Sequence, residues 1–310
     1  MGLKNRRLLL AKVETTYGTD AVPTKAVNAI LCGSLEINPI EGDKVQRNLI
    51  RPYLGNAQDI QVTTYATVSF EVELCGGGAA GTAPQYGSLL QACGFSETVT
   101  AGVDVQYLPV STGMKSLSLY FQADGIKHVL LGAMGSVSFD LIAKSLPTMK
   151  FNFTGLLGTI TDSAIPTDPT YTQVIPVAVS TANTTPCTLH GYTPVLESLN
   201  LDMANEVKYR SLVNDERVII TDRKPKGSIK LDMPTLAVKD FFTIAKNATL
   251  GTLSVQHGQA AGNIIVLDSA TNGIGISGVK YAELDGIDQL SMDLSFVPVL
   301  GNDEVKLTIK

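Results

Sequence analysis

The chain has no tryptophan, few aromatics of any kind and no excess of basic residues. Each absence removes a class of function. A net charge of -5 is the wrong sign for a general nucleic-acid binder, whose footprint is basic. The three histidines, His128, His190 and His257, lie far apart, without the H-x-x-x-H or H-E-x-x-H spacing that puts two imidazoles on one metal. The four cysteines, Cys32, Cys75, Cys93 and Cys187, form no C-x-x-C pair. Near the N-terminus only Leu8–Ala11 is apolar before Lys12, too short for a signal-peptide core, so the expectation is reduced thiols packed as small apolar core residues. No apolar run approaches the length of a membrane span. Gly76-Gly77-Gly78 lacks the Gly-Lys-Ser/Thr of a phosphate cradle, and no G-x-S-x-G nucleophile elbow occurs. Asp285-Gly286-Ile287-Asp288 has two of the oxygens of a calcium loop but not its spacing, and reads as a hairpin turn. Asn183-Thr184-Thr185 and Asn247-Ala248-Thr249 fit a glycosylation pattern that matters only in a secreted chain. No catalytic, cofactor or metal constellation is left, and the expectation is a protein that is not an enzyme and takes no cofactor.

What remains is β pattern. In Val137–Gly158, Val137, Phe139 and Leu141 alternate with Ser138 and Asp140. After a break at Lys144–Pro147, Met149, Phe151 and Phe153 alternate with Lys150, Asn152 and Thr154. A period of two on both sides of a turn predicts a hairpin with one buried face. The same device closes the chain: Val279 and Tyr281 lead to Asp285-Gly286, then Leu290, Met292, Leu294 and Phe296 alternate with polar residues. The order before each hairpin also repeats. Gly33–Asn38 (GSLEIN) matches Glu197–Met203 (ESLNLDM), and Thr67–Glu73 matches Gly227–Met233, with Val45–Leu49 and Val207–Leu212 between them. A short helix follows in each half: Pro84–Cys93 in the first, and in the second a helix capped by Thr235 with Ala237, Phe241, Ile244 and Ala245 on one face. Further strands are expected at Val103–Pro109, Ser116–Gln122 and Lys127–Leu131.

Three stretches fit neither half's sheet. Met1–Tyr17 reads as a first strand or an arm that docks on a neighbour, and Gly18–Lys25 as a polar loop. Glu41–Ile60 is long for a hairpin connection yet carries Ile, Tyr and Leu, which suits an arm that packs on another subunit. Thr159–Thr188 is rich in Thr, Pro, Asp and Ser and reads as a linker with one extended piece, Thr172–Val179. The one basic cluster, Arg223-Lys224-Pro225-Lys226-Gly227, has the charge to contact phosphates but reads first as a solvated hairpin tip or an intersubunit contact. The expected division is residues 1–160, a linker at 161–190, and residues 191–310.

Several stretches together resemble one family: LLLAKVETTYGTDAVPT at Leu8–Thr24, SLEINPIEGDKVQRNLIRPYLG at Ser34–Gly55, FEVELCGGGAAGTAPQYGSLLQACGF at Phe70–Phe95, VIITDRKPKGSIKLDMP at Val218–Pro234, and the hairpin Val137–Gly158. The chain is similar to the tail tube (major tail) proteins of long, non-contractile-tailed bacteriophages. The resemblance implies a mainly β fold, here two tandem tail-tube-type β-sandwich or barrel domains, each with one short helix, contributing strands to an inner barrel. It implies a structural virion protein of the phage tail, assembled in the host cytoplasm from stacked six-fold rings. The tube would form around a tape measure protein, end at a tail terminator, and conduct DNA through its lumen without specific binding. The alternatives are a minor tail ring protein, terminator or baseplate-proximal, and a β-sandwich binding module. A tube that conducts DNA is expected to repel it, because a basic lining traps a polyanion. The lumen-facing candidates are Glu71, Glu73, Asp140, Asp232 and Asp293. The candidates for contacts between rings are Arg47, Leu49, Ile50, Arg51, Tyr53, Leu54, Arg223 and Lys224. Family members usually carry one tube domain, so a duplicated chain implies a ring of three chains; if the second half is an outer decoration, six.

Overall fold

The computed structural model describes residue 3 and residues 5–310. The first half forms β1 (Arg7–Val13), β2 (Ala29–Ile30), β3 (Gly33–Glu41), β4 (Lys44–Val45), β5 (Ile60–Gln61), β6 (Tyr65–Glu73), α1 (Gly87–Ala92), β7 (Phe95–Thr100), β8 (Asp104–Pro109), β9 (Leu117–Ala123), β10 (Gly125–Ile142) and β11 (Thr148–Ser163). The second forms β12 (Cys187–Leu189), β13 (Leu196–Asp202), β14 (Asn205–Leu212), β15 (Asp215–Arg223), β16 (Lys226–Asp232), α2 (Phe241–Lys246), β17 (Leu253–His257), β18 (Ile265–Ser269), β19 (Ile274–Leu284), β20 (Ile287–Phe296) and β21 (Val305–Ile309). The protein is mainly β with two short helices, as the pattern predicts.

The large sheet runs β19-β20-β16-β13-β10-β11-β6-β3, and β9, β1 and β2 branch from the first part of β10. It is open, not a closed barrel. A second sheet runs β12-β17-β18-β21-β8-β7, so the last strand joins pieces of both halves. Alternation explains the packing. Val68, Phe70 and Val72 of β6 are buried while their neighbours are half-exposed. Phe70 lies opposite Phe151, and the rings of Phe70, Phe151 and Phe153 stack at 5.5–5.9 Å. Facing side chains from both halves merge into one apolar cluster, which takes in Leu199, Ile229, Leu290 and Met292. Cys75, Cys93 and Cys187 are buried among them, and burial pushes the Cys75 thiol up to about 12.

Local differences from the sequence reading have local causes. Both strands of the first hairpin run far beyond the alternating stretch: β11 carries an extra residue at Gly158-Thr159, opposite Val129, and β10 bulges between Leu131 and Met134, and these irregularities break the period of two. The second helix starts at Phe241, not after Thr235. Asp240 accepts a hydrogen bond from the Thr243 amide at 2.9 Å and is the real N-cap, while Thr235 closes a separate turn through its carbonyl. At the tip of β19–β20, Asp285 and Gly286 both have positive φ, as a two-residue hairpin turn of this hand requires. Residues 1, 2 and 4 of the expected N-terminal arm lie outside the described residues; from Arg7 the segment is β1, paired with β9. β11 runs to Ser163, into the expected linker, and 172–179 forms no strand.

The histidines predict how stability depends on pH. His257 is buried; its Nε2 donates to the Val177 carbonyl at 3.0 Å and its Nδ1 accepts from the Thr184 hydroxyl at 2.9 Å. Desolvation holds His257, His190 and His128 below the ordinary imidazole value. The unfolded chain therefore binds protons first. Stability is undiminished above the unfolded value of about 6.5 and falls as pH drops from there toward the folded-state values. Urea midpoints at pH 8 and pH 5.5 should show this loss, and His257→Gln should shrink it; equal loss in the variant would refute the assignment to His257.

Candidate functional site

One face of the large sheet is apolar and buried, and the other is polar. Because neighbouring strands are in register, side chains from both halves share the polar face. Glu71 lies opposite Lys150, Glu73 opposite Thr148, Asp140 opposite Thr148 and Asn200, Asp232 opposite Gln289, and Asp293 opposite Ser228. All five acidic candidates therefore stand on one surface, a juxtaposition that strand period alone does not dictate. Glu36 and Asp202 join them, as do Lys150, Lys226, Lys230 and Lys280. Period-two counting from the buried residues would have found these too. Lys150 Nζ lies 3.5 Å from Asp140 and 3.8 Å from Glu71, and Asn200 donates to Asp140 at 2.6 Å. Such exposed pairs contribute at most about 1 kcal/mol, so the face is a hydrated surface and not a cemented one.

The sheet ends in two unlike edges, β19 and β3. Its order is one four-strand pattern written twice. In the first half, β10, β11, β6 and β3 are neighbours in that order; in the second, β19, β20, β16 and β13 are. The halves join head to tail, β13 pairing antiparallel with β10. The registers agree in detail. Glu73 pairs with Thr148 and Thr148 with Asp140; Asp232 pairs with Gln289 and Gln289 with Ala282. Likewise Glu36 pairs with Ser69 and Asn38 with Thr67, as Asn200 pairs with Ser228 and Asp202 with Lys226. Asp140 thus corresponds to Ala282, Phe139 to Tyr281, Ile37 to Leu201 and Glu36 to Asn200. Tyr281 is 69% exposed at the free edge, whereas Phe139, whose strand has its neighbour β13, is 0% exposed.

The remaining candidates divide. Leu49, Ile50, Tyr53 and Leu54 are exposed, Ile50 and Leu54 fully, on the stretch between β4 and β5. Arg47 is exposed there as well, and Arg51 lies over the ring of Tyr53 at 5.9 Å. Arg223 is different: it is engaged inside the chain with Glu304, Val110 and Asn302. Lys224 is solvent-facing and pairs with Asp222 at 2.7 Å, a hydrogen bond that raises the lysine above its ordinary value. No helix among the described residues is long and apolar enough to cross a membrane.

The family described as Phage tail tube protein matches residues 4–296, nearly the whole chain. No curated protein matches it. A mainly β chain with these repeated sheet units, matched over that length, belongs to the phage tail tube protein family and is a structural protein of the phage tail.

Proposed function

We propose that this chain self-assembles into rings of three subunits, each contributing two sheet units to a six-fold wall, and that stacked rings form the conduit for DNA ejection. The observation that carries the reading is the head-to-tail order of the large sheet with its two unlike free edges. A head-to-tail contact between unlike surfaces either closes into a ring or runs on as a filament. The joint between β10 and β13 is the template for the joint between β19 of one copy and β3 of the next. Pairing the edges also removes an aggregation hazard. The polar face then lines the lumen, with Glu71, Glu73, Asp140, Asp232 and Asp293 over it. A tape measure protein inside the tube, a terminator at its end and assembly in the host cytoplasm follow from the same reading.

The register correspondence makes the joint testable. Asp140 lies opposite Asn200 inside the chain, so Ala282 should lie opposite Glu36 across the joint. A chain carrying Ala282→Cys and Glu36→Cys should form disulfides between copies under mild oxidation, because directly opposed strand positions are within disulfide reach. Native mass spectrometry should find closed species of three chains. Closed species of six chains would overturn the trimeric ring. Monomers that never link would overturn the ring altogether.

A further inference from the structure

The hairpin β14–β15 leaves the second half between β13 and β16 and does not stay there. It packs along β10 and β11, across the joint, on the first half. Asn205 Nδ2 donates to the carbonyls of Cys93 at 2.7 Å and Gly135 at 2.9 Å, and the Asn205 amide donates to Ser136 Oγ at 3.1 Å. Tyr209 stacks on Tyr65 at 4.8 Å, and Val218 is hydrogen-bonded to the Tyr17 hydroxyl. The first sheet unit therefore seats an arm from the unit beside it.

The counterpart of this hairpin is the segment 42–64, which lies between β3 and β6 as β14–β15 lies between β13 and β16. Among the described residues it has no such seat in its own chain. A two-residue ladder, Lys44–Val45 with Ile60–Gln61, and hydrogen bonds from the Val62 amide to the Asp43 carbonyl and from the Asp43 amide to Thr63 Oγ1, both at 2.9 Å, tie its two ends together, and its apolar side chains stand in solvent: Val45, Leu49, Ile50, Tyr53, Leu54 and Ile60. The counterpart of the seat is equally empty. By the register above, Tyr65 corresponds to Lys224 and Leu156 to Val297, while Cys93 and Asn247 are the two helix C-caps. Around those positions an open cleft is lined by Lys224, Pro225, Phe296, Val297 and Pro298 together with the Arg223–Glu304 pair. Val297 is half-exposed in that lining.

We infer that segment 42–64 of one copy docks in the cleft between residues 224–225 and 295–298 of the neighbouring copy in the same ring. This rests on the ring reading and names the second surface of that joint. It changes the task expected of Leu49, Ile50, Tyr53 and Leu54: they fasten neighbours within a ring, not one ring to the next. An apolar arm on a partly apolar cleft removes from water, on assembly, side chains that the free chain must expose.

The test uses the full-length chain with a photo-crosslinking amino acid at position 50 and mass-spectrometric mapping of the adducts after assembly. Ile50 is fully exposed, so the label displaces no packed side chain. Adducts on residues 224–226, 247–250 or 295–300 of a second copy are expected. Adducts within the same chain, or on another surface of a second copy, overturn the proposal. The double variant Ile50→Asp with Leu54→Asp should keep the monomer's urea midpoint and raise the concentration needed for assembly by about tenfold or more. Unchanged assembly would also overturn it. The disulfide between the Glu36→Cys and Ala282→Cys positions separates the two ideas. Chains joined by that disulfide with position-50 adducts elsewhere leave the ring standing and remove the docking; chains never joined remove both.

Discussion

Arg223→Ala is expected to lower the unfolding free energy by about 3–5 kcal/mol, the loss seen when one partner of a buried ion pair is removed. The arginine side chain is 11% exposed and its partner Glu304 is 4% exposed. The guanidinium lies 2.6 Å from Glu304 Oε1 and also donates to the Val110 carbonyl at 3.1 Å and Asn302 Oδ1 at 3.2 Å. These groups belong to three parts of the chain: the end of β15, the turn after β8, and the segment leading into β21. In the alanine variant the Glu304 carboxylate is left buried without a cation, which costs more than the pair contributes when intact. Chemical denaturation measures the loss. The double variant Arg223→Ala with Glu304→Gln should recover a large part of it, because the stranded charge is gone. A loss below about 1 kcal/mol, the range of solvated surface pairs, would show that the pair is not desolvated.

Tubes built from chains carrying Glu73→Lys and Asp293→Lys should assemble normally and hold DNA that wild-type tubes release. These positions suit the test because their cross-strand neighbours are neutral: Thr148, and Ser228 with Ser277. Reversal there creates no directly opposed like charges, whereas Asp140→Lys would set a second lysine beside Lys150. On the proposed lumen, the two lysines repeated in every subunit turn a repelling wall into an adsorbing one. Retention should be strong at about 50 mM salt and weaker by about 10³-fold or more at about 200 mM, the signature of counterion release. In a phage complementation assay, particles with such tubes should adsorb but eject slowly. Variant tubes that release DNA as readily as wild type would move these residues off the lumen.

The fold was largely legible where it is local. Val68, Phe70 and Val72 announced β6 by alternation, and Asp285-Gly286 announced the β19–β20 turn. The limits of β10 and β11 were not legible, since a bulge in each erases the period that marks a strand. Nor was the α2 cap: Thr235 and Asp240 are both good N-cap residues, and only the packing of Phe241 into the core selects the second. For the site, residue type and parity placed the five acidic candidates on polar strand faces, but Arg223 read as a solvated cation because the carboxylate that buries it is 81 residues away.

The alternating strands, the two turns and the twofold repeat of element order were determined by the amino-acid sequence alone, because each depends on neighbours a few residues apart. The head-to-tail joint of β13 on β10, the shared second sheet closed by β21, and the two unmatched edges were decided only by the tertiary structure. Those pairings link residues far apart in the chain, and strand alternation says which face is buried without saying which strand lies alongside.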